Sequence, residues 1–216
     1  DALVLTHADP DHVLGAPAVV RALAPRRVWD NGQGEAEGAH PAYHEALRLA
    51  RARGAAVERT PEICGDHRVG GAVARVLHPC HDPIGYDPSL EPNDNSIALR
   101  ISLGGTAVVL AGDLEREGER IVGEGERDLR AHVLKLGHHG SRTSSSVRFL
   151  DAVAPRIAVA SAGPWNRYRM PHQEVRARLA GRAISLYRTA RDGAVRAVLT
   201  GDGVAISCAR THRRRR

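Results

Sequence analysis

Short apolar runs alternate along this chain with stretches whose apolar residues recur at helical spacing, and that alternation predicts a layered α/β domain. Leu3-Val4-Leu5 reads as a strand, Ala16 to Leu23 as a helix with Pro17 in its first turn, and Arg27 to Trp29 as a second strand. The Gly-rich stretch Asn31 to His40 reads as a loop, and Pro41 to Arg53 as an amphipathic helix ending near Gly54. Strands follow at Ala56 to Thr60, Ala72 to Leu77, Ile97 to Leu103 and Thr106 to Ala111. A helix from Leu114 to Val122 precedes a strand at Val133 to Leu136. Helices at Ser145 to Val153 and Pro171 to Ala180 then alternate with strands at Arg156 to Ser161 and Ala183 to Tyr187. Thr189 to Gly193 turns into a final hairpin, Ala194 to Leu199 with Gly203 to Cys208. The stretch His78 to Asn95 holds four prolines and two histidines and is too long for an ordinary turn, so it reads as an active-site loop. Its His78 and His81 are expected at the surface, with approach to a metal as the alternative.

Polar residues interrupt this pattern most sharply where strands end. Directly after Leu3-Val4-Leu5, the segment Thr6-His7-Ala8-Asp9-Pro10-Asp11-His12 packs two imidazoles and two carboxylates into the stretch from His7 to His12. Imidazole and carboxylate together suit divalent ions such as zinc, manganese or iron. A strand sends alternate side chains to one side, so His7, Asp9 and Asp11 converge while His12 comes round as the chain turns into a helix. One tight loop can thereby serve two adjacent metals. The strand Thr106 to Ala111 stops at Gly112-Asp113, whose carboxylate is placed to bridge them, and Val133 to Leu136 closes on Gly137-His138-His139-Gly140-Ser141.

These motifs together resemble the metallo-β-lactamase superfamily, with its H-x-H-x-D-H loop after a strand, later bridging Asp and distal His. Here Asp9 stands where the superfamily has its second His. That replacement, Gly112-Asp113-Leu114, Leu134-Lys135-Leu136-Gly137-His138-His139-Gly140-Ser141, Thr143 to Ser146, Asn93-Asp94-Asn95-Ser96 and Asn166-Arg167-Tyr168 are similar to the metallo-β-lactamase-like domain of the ComEC/Rec2 DNA-internalisation family. The resemblance runs from about Asp1 to about Ser207. It implies an αββα sandwich over residues 1–208 followed by a basic tail, 209–216. The family normally shows two or more strands before the metal loop, so the sandwich is expected to be truncated at its N-terminal edge. A Gly-His-Pro segment of the family is replaced by Arg169-Met170-Pro171-His172, and the superfamily's His between the first loop and the bridging Asp has Asn93 and Asn95 as its nearest polar candidates.

The resemblance implies a metal-dependent hydrolase, a nuclease degrading the non-transported DNA strand during uptake, with two divalent ions, zinc or manganese. His7, Asp9 and one of His138 or His139 are assigned to one side of the cluster, Asp11 and His12 to the other, and Asp113 to the bridge. Asp11, His139 and His172 form the expected catalytic set, the leaving oxygen taking its proton from the unassigned histidine of the pair or from His172. Ser141, Thr143 and the serines behind them either bind phosphate oxygens or cap the following helix. DNA and the membrane channel of the same full-length protein are the implied partners, at the extracellular face of the membrane, and no nucleotide cofactor is expected. A non-catalytic DNA-guiding module and a phosphodiesterase acting on phosphocholine or another small phosphoester are the competing readings.

Composition narrows this only a little. At 216 residues the chain is long enough for one domain with a good core, and no apolar run approaches a membrane span. The formal charge of +6 owes much to Arg213 to Arg216, read as a disordered end or the start of a linker, so the charge is weak support for DNA binding. Aromatic residues make up 3%, which argues against base stacking as the main mode of nucleic-acid contact. Cys64, Cys80 and Cys208 lack zinc-knuckle spacing; Cys64 and Cys80 flank an expected hairpin and are either a disulfide in an oxidising compartment or free thiols.

Overall fold

The computed structural model describes residues 1–35, 39–81, 84–126 and 128–210. The end of the expected basic tail, 211–216, lies outside them. Strand β1 (Ala2–Leu5) leads through two short helices, α1 (Pro10–Val13) and α2 (Ala16–Leu23), to β2 (Arg27–Asp30). Helix α3 (Pro41–Ala52) then leads to β3 (Ala56–Glu58), and the three strands pair in parallel in the order β1-β2-β3. Parallel neighbours need a crossover, and helices supply it. The apolar stripes of these helices, including Val13, Val20, Tyr43, Ala46 and Leu47, are buried against Leu5 and Val28.

A second sheet of seven strands follows. Strands β4 (Gly65–Val69), β5 (Ala72–His78), β6 (Ala98–Leu103) and β7 (Thr106–Leu110) form an antiparallel meander. Beyond β7 the pairing turns parallel: α4 (Arg116–Gly125) leads to β8 (Val133–Lys135), α5 (Val147–Val153) to β9 (Ile157–Ala160) and α6 (Gln173–Ala180) to β10 (Ser185–Arg188). A one-turn helix, α7 (Thr189–Asp192), precedes the separate hairpin of β11 (Val195–Leu199) and β12 (Val204–Cys208).

Alternation along the strands builds the layers. Val109, Leu134, Ala158 and Ala160 face one way and bury against Val122, Phe149, Leu150, Val153, Val175 and Leu179 of the helices. From the opposite face Val76 and Leu99, with Leu110 beside them, pack with Trp29 and Val4 of the smaller sheet and with Ile63. The result is the expected αββα sandwich, its smaller sheet holding three strands. Strands β7, β8 and β9 run parallel, so the loops after them share one end of the sheet, and the loop after β1 meets those after β7 and β8 there through His12, Asp113 and His139.

Differences from expectation have local causes. Helix α4 begins at Arg116 because Asp94, from a distant loop, accepts the N–H groups of Glu115 (2.7 Å) and Gly118 (2.9 Å) with one carboxylate oxygen. Helix α6 begins at Gln173, with His172 still extended. The stretch 31–40 contains a short 3-10 turn, Gln33–Glu35, and the turn expected at Thr189 is α7. Cys64 and Cys80 are joined, Cα to Cα 5.6 Å, across the β4–β5 hairpin. His78 corrects the surface reading: at the end of β5 it is 3% exposed, both ring nitrogens lack a partner, and burial pulls its pKa down to about 4. His81 is partly buried, with Nε2 3.7 Å from the Glu126 carboxylate. Neither belongs to a cluster of potential ligands among the described residues.

Glu119 is the one acid of the expected helix that turns fully inward. Its carboxylate accepts the N–H groups of Ser145 and Ser146 (2.8 Å for the latter), which ties α4 to the start of α5. Burial pushes its pKa up to about 7 against the opposing pull of those two donors. A carboxyl raised on folding stabilises fully below its unfolded value near 4.5, and that contribution is lost as pH rises through about 7. The stability difference between the protein and its Glu119→Ala variant, measured by urea unfolding, is therefore expected to shrink from pH 5 to pH 8. At the acidic end the variant should be weaker by roughly 1–3 kcal/mol, because two buried donors lose their acceptor.

Candidate metal centre

His7 leaves β1 fully buried, and its Nδ1 lies 3.1 Å from the Thr6 hydroxyl and 3.2 Å from that of Ser96. Those hydroxyls fix the ring so that Nε2 points inward, 3.8 Å from an Asp9 oxygen and without a hydrogen-bond partner. Asp113 is buried behind Gly112, where a Cβ would stand 2.6 Å from that of Ser96 and where φ is +54°. Only glycine lets the chain pass there. The Asp113 Oδ2 lies 3.3 Å from His12 Nε2 and 3.2 Å from His139 Nε2, while Oδ1 is buried without a partner. Asp11 completes this side, its Oδ2 3.0 Å from His139 Nε2.

The His138-His139 pair sits in an unusual backbone. Both residues have positive φ, 43° and 54°, a left-handed conformation that costs a non-glycine residue energy and that occurs here at two successive residues. This turns the adjacent rings to different neighbours. His138 Nδ1 lies 2.6 Å from the Glu115 carboxylate, with the Asn93 amide at 3.3 Å. His139 Nδ1 donates to the Ser161 carbonyl at 2.7 Å. In each ring one nitrogen is engaged from outside, and for His139 the other is aimed at the cluster, the arrangement that orients a metal-binding imidazole.

Charges here are balanced by neighbours rather than by water. Burial, and the nearby His12, pull the His7 pKa down to about 4, so the ring stays neutral at neutral pH and keeps a lone pair to offer. Burial alone would raise the Asp113 carboxyl, but hydrogen bonds from His12 and His139 hold it well below the usual carboxylate range. Asp9 is shifted upward by burial and by Asp11. His138 and His139 are shifted upward, by Glu115 and Asp113 respectively. Lys135, the chain's single lysine, ends β8 opposite Leu110 and donates to the Leu136 carbonyl at 2.8 Å. Its burial lowers its pKa, and the Asp113 and Asp11 carboxylates oppose that shift.

Two sets of ligand atoms converge, His7 with His12 and Asp113, and Asp11 with His12 and His139. The buried, partnerless His7 Nε2 and Asp113 Oδ1 fit a cation: each is costly to bury alone and is satisfied by a metal. His138 stands beside these sets, held by Glu115. His172 stands apart. Its Nδ1 accepts the Arg142 N–H at 2.9 Å, which makes Nε2 the protonated nitrogen, donating to the Tyr168 carbonyl at 2.8 Å.

Supporting residues complete the frame. The four members of Asn93-Asp94-Asn95-Ser96 each act differently. Asn93 meets His138, Asp94 starts α4, Asn95 pins the loop at Asp87 (2.7 Å), and Ser96 accepts the Asp113 N–H (3.0 Å). Gln33 accepts the Ala8 N–H at 2.9 Å and so steadies the first metal loop, a role hidden in a stretch that reads as Gly-rich loop. Thr143 donates to Glu115 (2.7 Å), Ser144 to the Gly137 carbonyl (2.7 Å), and Ser146 caps α5. These hydroxyls are spent on the protein itself. Beside the cluster opens a cleft of about 1100 Å³, lined by Asp9, Asp11, His139, Asn166, Arg167 and Tyr168 among others.

The family model of the metallo-beta-lactamase superfamily matches residues 1–163. The ComE operon protein 3 of Bacillus subtilis (strain 168) is 35% identical over 196 residues, 90% of this chain and 24% of that protein. Competence protein ComA of Neisseria gonorrhoeae is 34% identical over 207 residues, 94% of this chain and 26% of that protein. The chain thus spans about a quarter of the length of these curated relatives. Among solved structures, a mutant CmlA beta-hydroxylase shares the fold, with a TM-score of 0.52 and 15% identity over 87% of this chain and 42% of that one. From its His/Asp loops, its four layers and these matches, the chain belongs to the metallo-β-lactamase superfamily and is similar over nearly its whole length to competence proteins of the ComEC/Rec2 type.

Proposed function

We propose that this chain is a phosphodiester hydrolase with two divalent cations, cutting DNA beside the membrane channel of a larger DNA-uptake protein. One observation carries the reading: Asp113 presents one oxygen to His12 and His139 and holds the other buried and partnerless, in the same cluster as the partnerless Nε2 of His7. His7, Asp9, His138 and one Asp113 oxygen would hold one cation; Asp11, His12, His139 and the other Asp113 oxygen would hold the second. Divalent cations there supply Lewis-acid polarisation of a phosphoryl oxygen and acidify water, so hydrolysis needs no covalent intermediate.

The protein's own part is to set positions. Asp113, fixed by its N–H to Ser96, spaces the two halves. Glu115 and the Ser161 carbonyl hold the rings of His138 and His139 in place. Asp11 and His139 act as ligands in this reading. His172, with both nitrogens engaged by the main chain, braces a loop and takes no part in proton transfer. The cleft beside Asp9, Asp11 and His139 admits substrate from solvent.

Support for DNA as substrate comes from the similarity to proteins of the ComEC/Rec2 type, one of which is named a competence protein. No helix among the described residues is long and apolar enough to cross a membrane, so the channel belongs to other parts of the full-length protein in this reading. The Cys64–Cys80 bond suits the oxidising outer face of the membrane.

Two outcomes test the proposal. Elemental analysis of the purified chain is expected to find two divalent ions, and Asp113→Ala to lower that number and cut oligonucleotide cleavage by more than roughly 100-fold, while His44→Ala on the surface changes neither. Unchanged metal content in Asp113→Ala contradicts the bridge, and a fully metallated protein that cleaves no DNA contradicts the nuclease. Because Asp9 makes the ligand set richer in oxygen, manganese should restore more activity to stripped protein than zinc does. Recovery with zinc but not manganese would reverse that assignment.

A further inference from the structure

Trp165 is 94% exposed and Tyr168 57%, whereas the chain's other tryptophan, Trp29, is 2% exposed in the core. A chain this poor in aromatic residues has no packing reason to hold two of them in water beside a cleft. Their loop follows β9, and Pro164, Asn166, Arg167, Tyr168 and Met170 line the same cleft as Asp9, Asp11 and His139. Trp165 lies between two of those lining residues.

The loop is braced. The Asn166 side chain accepts the Met170 N–H (2.7 Å) and donates to the Gly163 and Met170 carbonyls (2.9 and 3.1 Å). His172 ties the Tyr168 carbonyl to Arg142, and its own N–H bonds Gly140 in the loop that carries His138 and His139 (2.9 Å). The main chain that carries the two rings is thereby fixed relative to the loop of His138 and His139. Arg167 sits with its guanidinium 4.7 Å from the centre of the Tyr168 ring and also hydrogen-bonds the Tyr168 hydroxyl. Arg169, next to Tyr168 in the chain, is exposed, and so is Arg142, whose main-chain N–H bonds His172. Flat exposed rings beside cations match the two needs of unpaired nucleic acid, a surface for base faces and positive charge for phosphates.

We propose that Trp165 and Tyr168, with Arg167, form a stacking platform that grips the bases of single-stranded DNA and feeds the strand along the cleft to the metal centre. The inference rests on the DNA-hydrolase reading above and deepens it by naming the form of the substrate. Duplex DNA hides its base faces in the stack, so these rings would meet them only in an unpaired strand or a frayed end. The low aromatic content of the sequence misses this, because a platform needs two or three rings in one place rather than many.

Binding without cleavage tests it. In the presence of EDTA, an oligothymidylate of about a dozen nucleotides is expected to quench the emission of solvent-exposed Trp165, and fluorescence anisotropy of the labelled oligonucleotide gives its affinity. Trp165→Ala and Tyr168→Ala should each weaken that binding by at least about 10-fold, at the strength of stacking one base. Trp165→Phe should keep most of it, and affinity for a blunt duplex of equal length should stay the same in all variants. Thermal melting shows that the exposed positions leave the fold intact. Unchanged oligothymidylate affinity in both alanine variants, an equal loss for duplex, or no binding by the unaltered protein overturns the platform. If the variants lose oligothymidylate binding while the metal-loaded protein cleaves no DNA, the hydrolase reading fails and the platform stands. If cleavage occurs and the variants bind normally, only the platform fails.

Discussion

A buried carboxylate surrounded by imidazoles is the constraint around which this end of the sandwich is built. Removing an isolated carboxylate from water costs several kcal/mol, and Asp113 offsets it at one oxygen through His12 and His139, while its other oxygen is left partnerless for a cation and Ser96 holds its main chain by accepting the N–H. Three loops must therefore arrive at one point: the loop after β1 with His12, the turn after β7 with Asp113 and the turn after β8 with His139. The parallel run of β7, β8 and β9 places two of them side by side. The packing of Trp29 and Val4 on Leu99 and Leu110 brings the third across from the other sheet.

Holding that point steady occupies most of the surrounding polar residues. Asn93 to Ser96 link the histidines, α4 and Asp113; Glu115 and Thr143 fix His138; Gln33 fixes Ala8; Glu119 locks α4 against the serines that begin α5. The left-handed backbone of His138 and His139 is the cost of turning two adjacent rings to different partners. With the hydroxyls of Thr143, Ser144 and Ser146 engaged internally, the anion-facing chemistry of the site rests on the cluster itself and on Arg167 of the cleft.

Much of this was legible in the amino-acid order, and the limits are physical. Candidate ligands at strand ends stand out because the strand and its terminal loop are contiguous: His7 to His12, Gly112-Asp113 and Gly137 to Gly140 each carry their polar side chains within a few residues. The element pattern likewise follows from local periodicity. Partnerships across the fold leave no such trace. Glu119 reads as one acid among several on a polar helix until Ser145 and Ser146 meet it, and His78 reads as a loop residue until β5 buries it. Which way each of His138 and His139 points depends on backbone angles that two identical neighbours cannot encode by type. Lys135 stands out only as a single lysine, and its place beside Asp113 and Asp11 needs the sheet register.

The central claim is that one carboxylate joins two cation positions. Anomalous scattering from crystals grown with manganese tests it directly. Two peaks roughly 3.5–4 Å apart are expected, one against His7, Asp9 and His138, the other against Asp11, His12 and His139, with an oxygen of Asp113 on each. A single peak, or two peaks of which Asp113 touches only one, would contradict the account.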